Sequence, residues 1–162
     1  MRMSVRGPRI LTALIVFAAS ASASTTHLSV SPTAEPAVLA RTLQSKNPTE
    51  AAASAYWLGL KGPAAVPHIP RLIAALGDDR PANPVAYRSD VKVGSRSTPG
   101  EEAAAALARL GQPAIAPLIT ALRASASAVA RRNAAWALGQ INSNSHGSTT
   151  AASPQPNPAQ QD

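Results

Sequence analysis

The nonapeptide EAAAALARL at residues 102–110 returns as NAAWALGQI at residues 133–141, and a related run, ASAYWLGL, stands earlier at residues 53–60. Leu107 aligns with Leu138 and Leu110 with Ile141, a spacing of 31 residues. Each copy reads as a helix carrying a stripe of small residues. The copies at 53–60 and 102–110 are each followed by a second apolar run. One holds Ile69, Leu72, Ile73 and Leu76, the other Ile115, Leu118, Ile119 and Leu122. Both place apolar side chains at i, i+3, i+4 and i+7, one face of an α-helix. Helix pairs recurring at this interval predict an all-α chain, a short α-solenoid of about two and a half repeats.

Start and stop signals agree with that reading. Asn47-Pro48-Thr49-Glu50 and Thr98-Pro99-Gly100-Glu101 each offer a cap residue, a proline at the first helical position and a glutamate at the third. The cap side chain takes an orphan amide, the proline has none to orphan, and the acid answers the helix dipole. Gly62, Gly77 and Gly111 stand where helices should end. Two departures interrupt the pattern. Residues 78–97 are much longer than an ordinary inter-repeat turn, and the third repeat stops after its first helix.

The runs WLGLKGPAAVP (57–67), LGQPAI (110–115) and VARRNAAWALG (129–139) carry a family resemblance. The segment from Pro48 to Asn142 resembles the bacterial HEAT-like repeats also found in phycobilisome lyases. The resemblance implies helix pairs stacked into a solenoid whose surfaces mostly bind other proteins. It also implies that Arg131 and Arg132 pack and hydrogen-bond between neighbouring repeats. A few relatives are enzymes acting on tetrapyrroles.

Composition narrows the classes further. Of the 162 residues 45% are hydrophobic but only 3% aromatic, with alanine supplying most of the apolar count. Small side chains suit closely packed helices and do not suit a β-sandwich. There is no cysteine, which excludes disulfides, thiolate metal sites and a cysteine nucleophile. The net charge of +7 is spread along the chain without a nucleic-acid footprint, so no nucleic-acid partner is expected.

The N-terminus reads as an address. Arg2, Arg6 and Arg9 precede the apolar run Ile10 to Ala19, and Ala21-Ser22-Ala23 supplies a small-x-small cleavage site. Even Ile10 to Ala23 as a helix reaches only about 21 Å, short of the ~30 Å hydrocarbon core. Residues 1–23 are therefore expected to be a cleaved signal peptide, leaving no stable membrane span and sending the chain to the periplasm or medium. Residues 24–34 are then a mobile leader, 35–142 the solenoid, and 143–162 a disordered tail rich in Ser, Thr, Pro, Gln and Asn.

Candidate binding residues fall in three places. In the long loop, Val85, Tyr87, Val91 and Val93 alternate with polar residues around Ser89-Asp90, the pattern of a small hairpin. Tyr87, Arg88, Lys92 and Arg96 would make it a positively rimmed binding finger; the alternative is a flexible insertion. Arg71 and Arg123 stand on the second helices, which line the inner face of a solenoid, and an arginine there can grip a carboxylate. Trp136 belongs to the truncated repeat. With Leu138 and Ile141 it leaves an apolar end that needs a cap, a second copy of the chain as a homodimer, or a client protein.

Catalytic signatures do not emerge. His27, His68 and His146 show no ligand spacing, and no Gly-x-Ser-x-Gly elbow, phosphate-binding loop or His-Glu-x-x-His is present. No catalytic residue, metal or cofactor is expected, and the Glu101-Glu102 pair is explained by the helix dipole. The sequence thus points to an exported, non-catalytic scaffold for protein–protein interaction. The alternative, from resemblance alone, is an accessory subunit or a protein handling a tetrapyrrole-type ligand. A remnant of a longer solenoid is the third reading.

Overall fold

Asn47 starts the first long helix as its sequence predicts. Its side chain accepts the amide of Thr49 at 3.0 Å, and Pro48 holds the first helical position. The computed structural model describes residues 28–147. Within them α1 spans Pro36–Thr42, α2 Pro48–Leu60, α3 Ile69–Ala75, α4 Pro99–Leu110, α5 Gln112–Ala124 and α6 Ala128–Gly147. Two 3₁₀ turns, Gly62–His68 and Pro84–Ala86, complete the order. At α4 the capping box is closed on both sides: Thr98 Oγ1 accepts from the Glu101 amide at 3.2 Å, and Glu101 Oε2 from the Thr98 amide at 3.1 Å.

The helices form two layers. α2, α4 and α6 lie side by side in one, with α4 in the middle, and α3 and α5 pair in the other. Leu58, Leu72, Leu76, Leu107 and Leu118 are fully buried between the layers. Alanines and Gly59 let the first-layer helices approach closely. A Cβ placed on Gly59 would lie 2.7 Å from the Ala106 Cα. This is the all-α, HEAT-like solenoid that the sequence predicts.

The two ends of the stack differ. Ala51, Ala52, Ala53, Ser54 and Ala55 are all buried, so over these residues α2 is covered around its whole circumference. α1 and the 84–86 turn pack against it beside α4. Residues 28–34 join in, where the sequence suggested a mobile leader. Leu28, Val30 and Ala34 pack on the core, and the Ser29 amide donates to Glu50 Oε1 at 3.0 Å. That bond, with one from Ser45 Oγ at 2.8 Å, holds the Glu50 carboxyl below its ordinary value. α6, by contrast, buries Ala130, Asn133, Ala134, Ala137 and Ile141 among its described side chains, a single stripe.

α6 also runs further than expected. The polar tail was to begin at Ser143, but the helix continues to Gly147. Ser143 and Ser145 turn their hydroxyls back onto the carbonyls of Gly139 and Ile141, so polar residues extend the helix without an apolar face. The proposed signal peptide, residues 1–23, and the remainder of the tail lie outside the described residues.

The long loop is not a hairpin. Its single antiparallel bridge joins Ala82 to Ser97 at the base, and no strand forms among the described residues. Asn83 explains why. Its side chain accepts the Val85 amide at 3.2 Å and starts a 3₁₀ turn at Pro84, which breaks the alternation at its first residue. The loop base is further tied by Arg80, which grips Asp78 and donates to the carbonyls of Ser45 and Lys46 at 3.0 and 2.9 Å. The guanidinium holds the Asp78 carboxyl below its usual range.

Candidate functional site

Trp136 sits on α6 at the end of the stack and is 49% exposed. Its neighbours explain why it can be. In α4 the aligned position is Ala105, a methyl group, whereas here an indole stands at the edge of the last helix. Beside it a cavity of about 330 Å³ opens between α4 and α6, lined by Glu101, Ala104, Arg132, Asn133 and Trp136. Ala104 gives an apolar floor and the indole a wall. Asn133 is buried and already committed, its Nδ2 donating to the Leu76 carbonyl at 2.9 Å across to the end of α3. Arg132 Nη2 and Glu101 Oε1 face each other at 3.9 Å, with half or more of each side chain exposed. Such a pair contributes well under about 1 kcal/mol and is free to open around a ligand. The cleft can seat an apolar or aromatic side chain and offer a charged partner of either sign at its rim.

The loop presents a second cluster, built inward. Glu102 on α4 is 2% exposed and is the acceptor that holds the loop down. Its Oε1 accepts from Tyr87 Oη at 3.0 Å, Ser97 Oγ at 2.9 Å and Arg88 Nη1 at 3.3 Å. Its Oε2 is buried without a hydrogen-bond partner among the described residues. Tyr87 was expected on an exposed finger; it is instead 9% exposed, because its ring packs against Tyr56 at 5.8 Å and Trp57 at 6.5 Å. Arg88 likewise turns inward. It bridges Glu102 and Asp90 and lies 5.1 Å from the Tyr56 ring centroid, with Arg109 at 5.2 Å from the same ring. The hydrogen bond to Asp90 raises the Arg88 guanidinium further above its ordinary range.

Burial, and then the Glu102 carboxylate, push the Tyr87 phenol above its ordinary value of 10.0. A phenol whose folded pKa is raised stabilises the fold fully at neutral pH and loses that contribution as pH rises beyond its unfolded value. The protein is therefore expected to lose thermal stability above pH 10, and Tyr87→Phe to flatten that alkaline loss. At neutral pH the same variant should cost about 1 kcal/mol, one hydrogen bond to a buried acceptor. Parallel melts of the two proteins from neutral to alkaline pH check both signs.

The remaining candidates stay on the surface and apart. Lys92 and Arg96 are exposed on the loop. Arg96 lines an open groove of about 490 Å³ with Thr49, Asn83 and the fully projecting Val93. Arg71 is exposed on α3 beside Asp78 and Arg80, around a smaller cavity of about 160 Å³. Arg123 is exposed near the end of α5. The structure thus brings Tyr87 and Arg88 together, but as loop anchors, and leaves Trp136 as the only one of the seven candidates that lines the α4–α6 cleft. Arg131 donates to the carbonyls of Ser125 and Ala126 and pins the α5–α6 turn. Glu101, Ala104, Arg132 and Asn133 complete the cleft; the sequence had assigned Glu101 to a cap and Arg132 to packing, and had given Asn133 no role of its own. No group of acids, histidines or cysteines able to hold a metal occurs among the described residues, and no helix there is long and apolar enough to cross a membrane.

Comparison with known proteins agrees with this architecture. Residues 130–154 match the family model of the PBS lyase HEAT-like repeat, which covers most of α6 and the residues that follow it. No curated protein and no solved structure matches the chain significantly. The matched repeat lies on the helix that carries Trp136, and the two-layer stack of small-residue helices precedes it, so the match supports a HEAT-like repeat architecture for this all-α stack.

Proposed function

We propose that the protein is an exported, non-catalytic scaffold that binds a client protein at the α4–α6 cleft. The observation that carries this reading is the half-exposed Trp136 beside a cavity of about 330 Å³, at the end of the stack that the described residues leave uncovered. Exposed aromatic anchors next to a pocket are where binding energy concentrates. The lining of Glu101, Ala104, Arg132 and Asn133 supplies shape, a polar rim and no nucleophile–base pair. Export is supported by the basic, apolar and small-residue order of residues 1–23.

The test is crosslinking in a secreting bacterial host. The chain should be recovered outside the cytoplasm with Ser24 as its first residue, attached to one dominant protein. Trp136→Ala should cut that attachment by about tenfold or more, the size of a hot-spot loss, while moving stability by less than about 1 kcal/mol. An undiminished crosslink in the variant would remove the cleft from the reading, and a cytoplasmic chain would remove export.

A further inference from the structure

The outer face of α6 is a copy of a face that is covered elsewhere in the same chain. In α2, Ala55 and Gly59 are buried, and Gly59 lies against Ala106 of α4. The corresponding positions of α6 are Ala135 and Gly139, and both are exposed; a Cβ on Gly139 would meet nothing within 4 Å. Ala128, Arg132, Trp136 and Asn142 are exposed on the same side. The face is built to receive a helix.

We propose that its occupant is α6 of a second copy, packed antiparallel about a two-fold axis that crosses the outer face at the level of Ala137. Three observations select this partner. First, a head-to-tail continuation is closed, because residues 28–43 already cover the outer side of α2. Second, the register is self-complementary. α6 has 20 residues, and Ala137 lies near its midpoint. A two-fold there sets Ala135 opposite Gly139 of the partner subunit, so small residue meets small residue and the backbones can close in, as at Gly59 and Ala106. Third, the charges suit an antiparallel pair. α6 carries the exposed Arg132 near its start and no acid anywhere, Arg131 being held by its own α5–α6 turn. An antiparallel crossing brings Arg132 toward the carbonyl end of the partner helix, where the dipole is negative; a parallel one sets arginine against arginine. Residues 148–162 contain no apolar side chain larger than alanine or proline. The small residues of the seam lie on the outer face and the client cleft opens on the flank toward α4, with Arg132 and Trp136 at the border of the two; the inference goes beyond the proposed client site by assigning the outer face to a second copy.

The experiment is sedimentation of the full chain across a wide concentration series. The expected result is a twofold rise in mass that then stops. Gly139→Arg, placed in open space, should keep the helix content and hold the mass at that of one chain throughout. Leu60→Arg, at another exposed apolar position, should still double. A monomer at every concentration, a mass that keeps growing, or a dimer that survives Gly139→Arg each overturns the proposal. A chain that stays monomeric yet crosslinks its client through Trp136 overturns this inference and leaves the client reading standing.

Discussion

Glu102→Ala is expected to lower the thermal midpoint by about 10 °C, corresponding to a loss of about 3 kcal/mol. The carboxylate is the shared acceptor for Tyr87, Ser97 and Arg88, all reaching it from the long loop. Removing it strands the Tyr87 hydroxyl in a nearly closed site and leaves Ser97 short of an acceptor, each a desolvated donor. Arg88 suffers least, since Asp90 remains on its other side at 2.8 Å. Glu102→Gln retains an acceptor and should lose less. The loss should also be local in its dynamics. With its anchor gone, the segment after Ala82 should open below the global unfolding temperature, and Arg88, Lys92 and Arg96 should become early tryptic sites. A variant that melts with the wild type and resists trypsin equally would mean that the ring packing of Tyr87 on Tyr56 and Trp57 suffices to hold the loop.

The contrast between Glu101 and Glu102 shows what a sequence can say here. Thr98-Pro99-Gly100-Glu101 is a local code, because cap, proline and acid act on backbone groups within one turn, and the closed capping box follows from it. Glu102 answers residues five to fifteen positions away, brought over it only when the loop folds back. The one signal in the chain was that two adjacent acids cannot both serve one cap, which leaves the second needing another partner. The loop misled for a similar reason. Val85, Tyr87, Val91 and Val93 alternate as a strand would, but a strand needs a partner edge, and Tyr56 and Trp57 draw the tyrosine ring into the core instead. Trp136 was legible as an exposed residue because no second apolar run follows Asn142 in the sequence. Its cleft was not, since Ala104 and Glu101 approach it only through the packing of α4 on α6.

The same alanine can damage or strengthen this fold, depending on which first-layer helix receives it, and Gly100→Ala is the damaging case. A Cβ on Gly100 would lie 2.6 Å from the Leu76 carbonyl oxygen, 2.8 Å from Asn133 Nδ2 and 2.9 Å from the Asp78 carbonyl oxygen. Gly100 thus sits where the end of α3, the start of α4 and the side of α6 meet. Its own amide donates to Asp78 O at 2.9 Å, and Asn133 reaches past it to Leu76 O. Two of the three crowding atoms belong to backbone and cannot turn aside, so the three elements must separate. The expected cost is about 3 kcal/mol or more, from overpacking together with a strained buried hydrogen bond. Asn133→Ala on top of it should recover little, because it relieves only the side-chain contact. Gly139→Ala, measured at dilution, should go the other way and stabilise by up to about 1 kcal/mol, since alanine is the better helix former and the space is open. Denaturant melts of the three variants decide the matter. If Gly100→Ala is as stable as the wild type, the joint between α3, α4 and α6 is looser than its distances indicate. If Asn133→Ala rescues it, the crowding resides in the side chain alone, and the carbonyls of Leu76 and Asp78 are free to move.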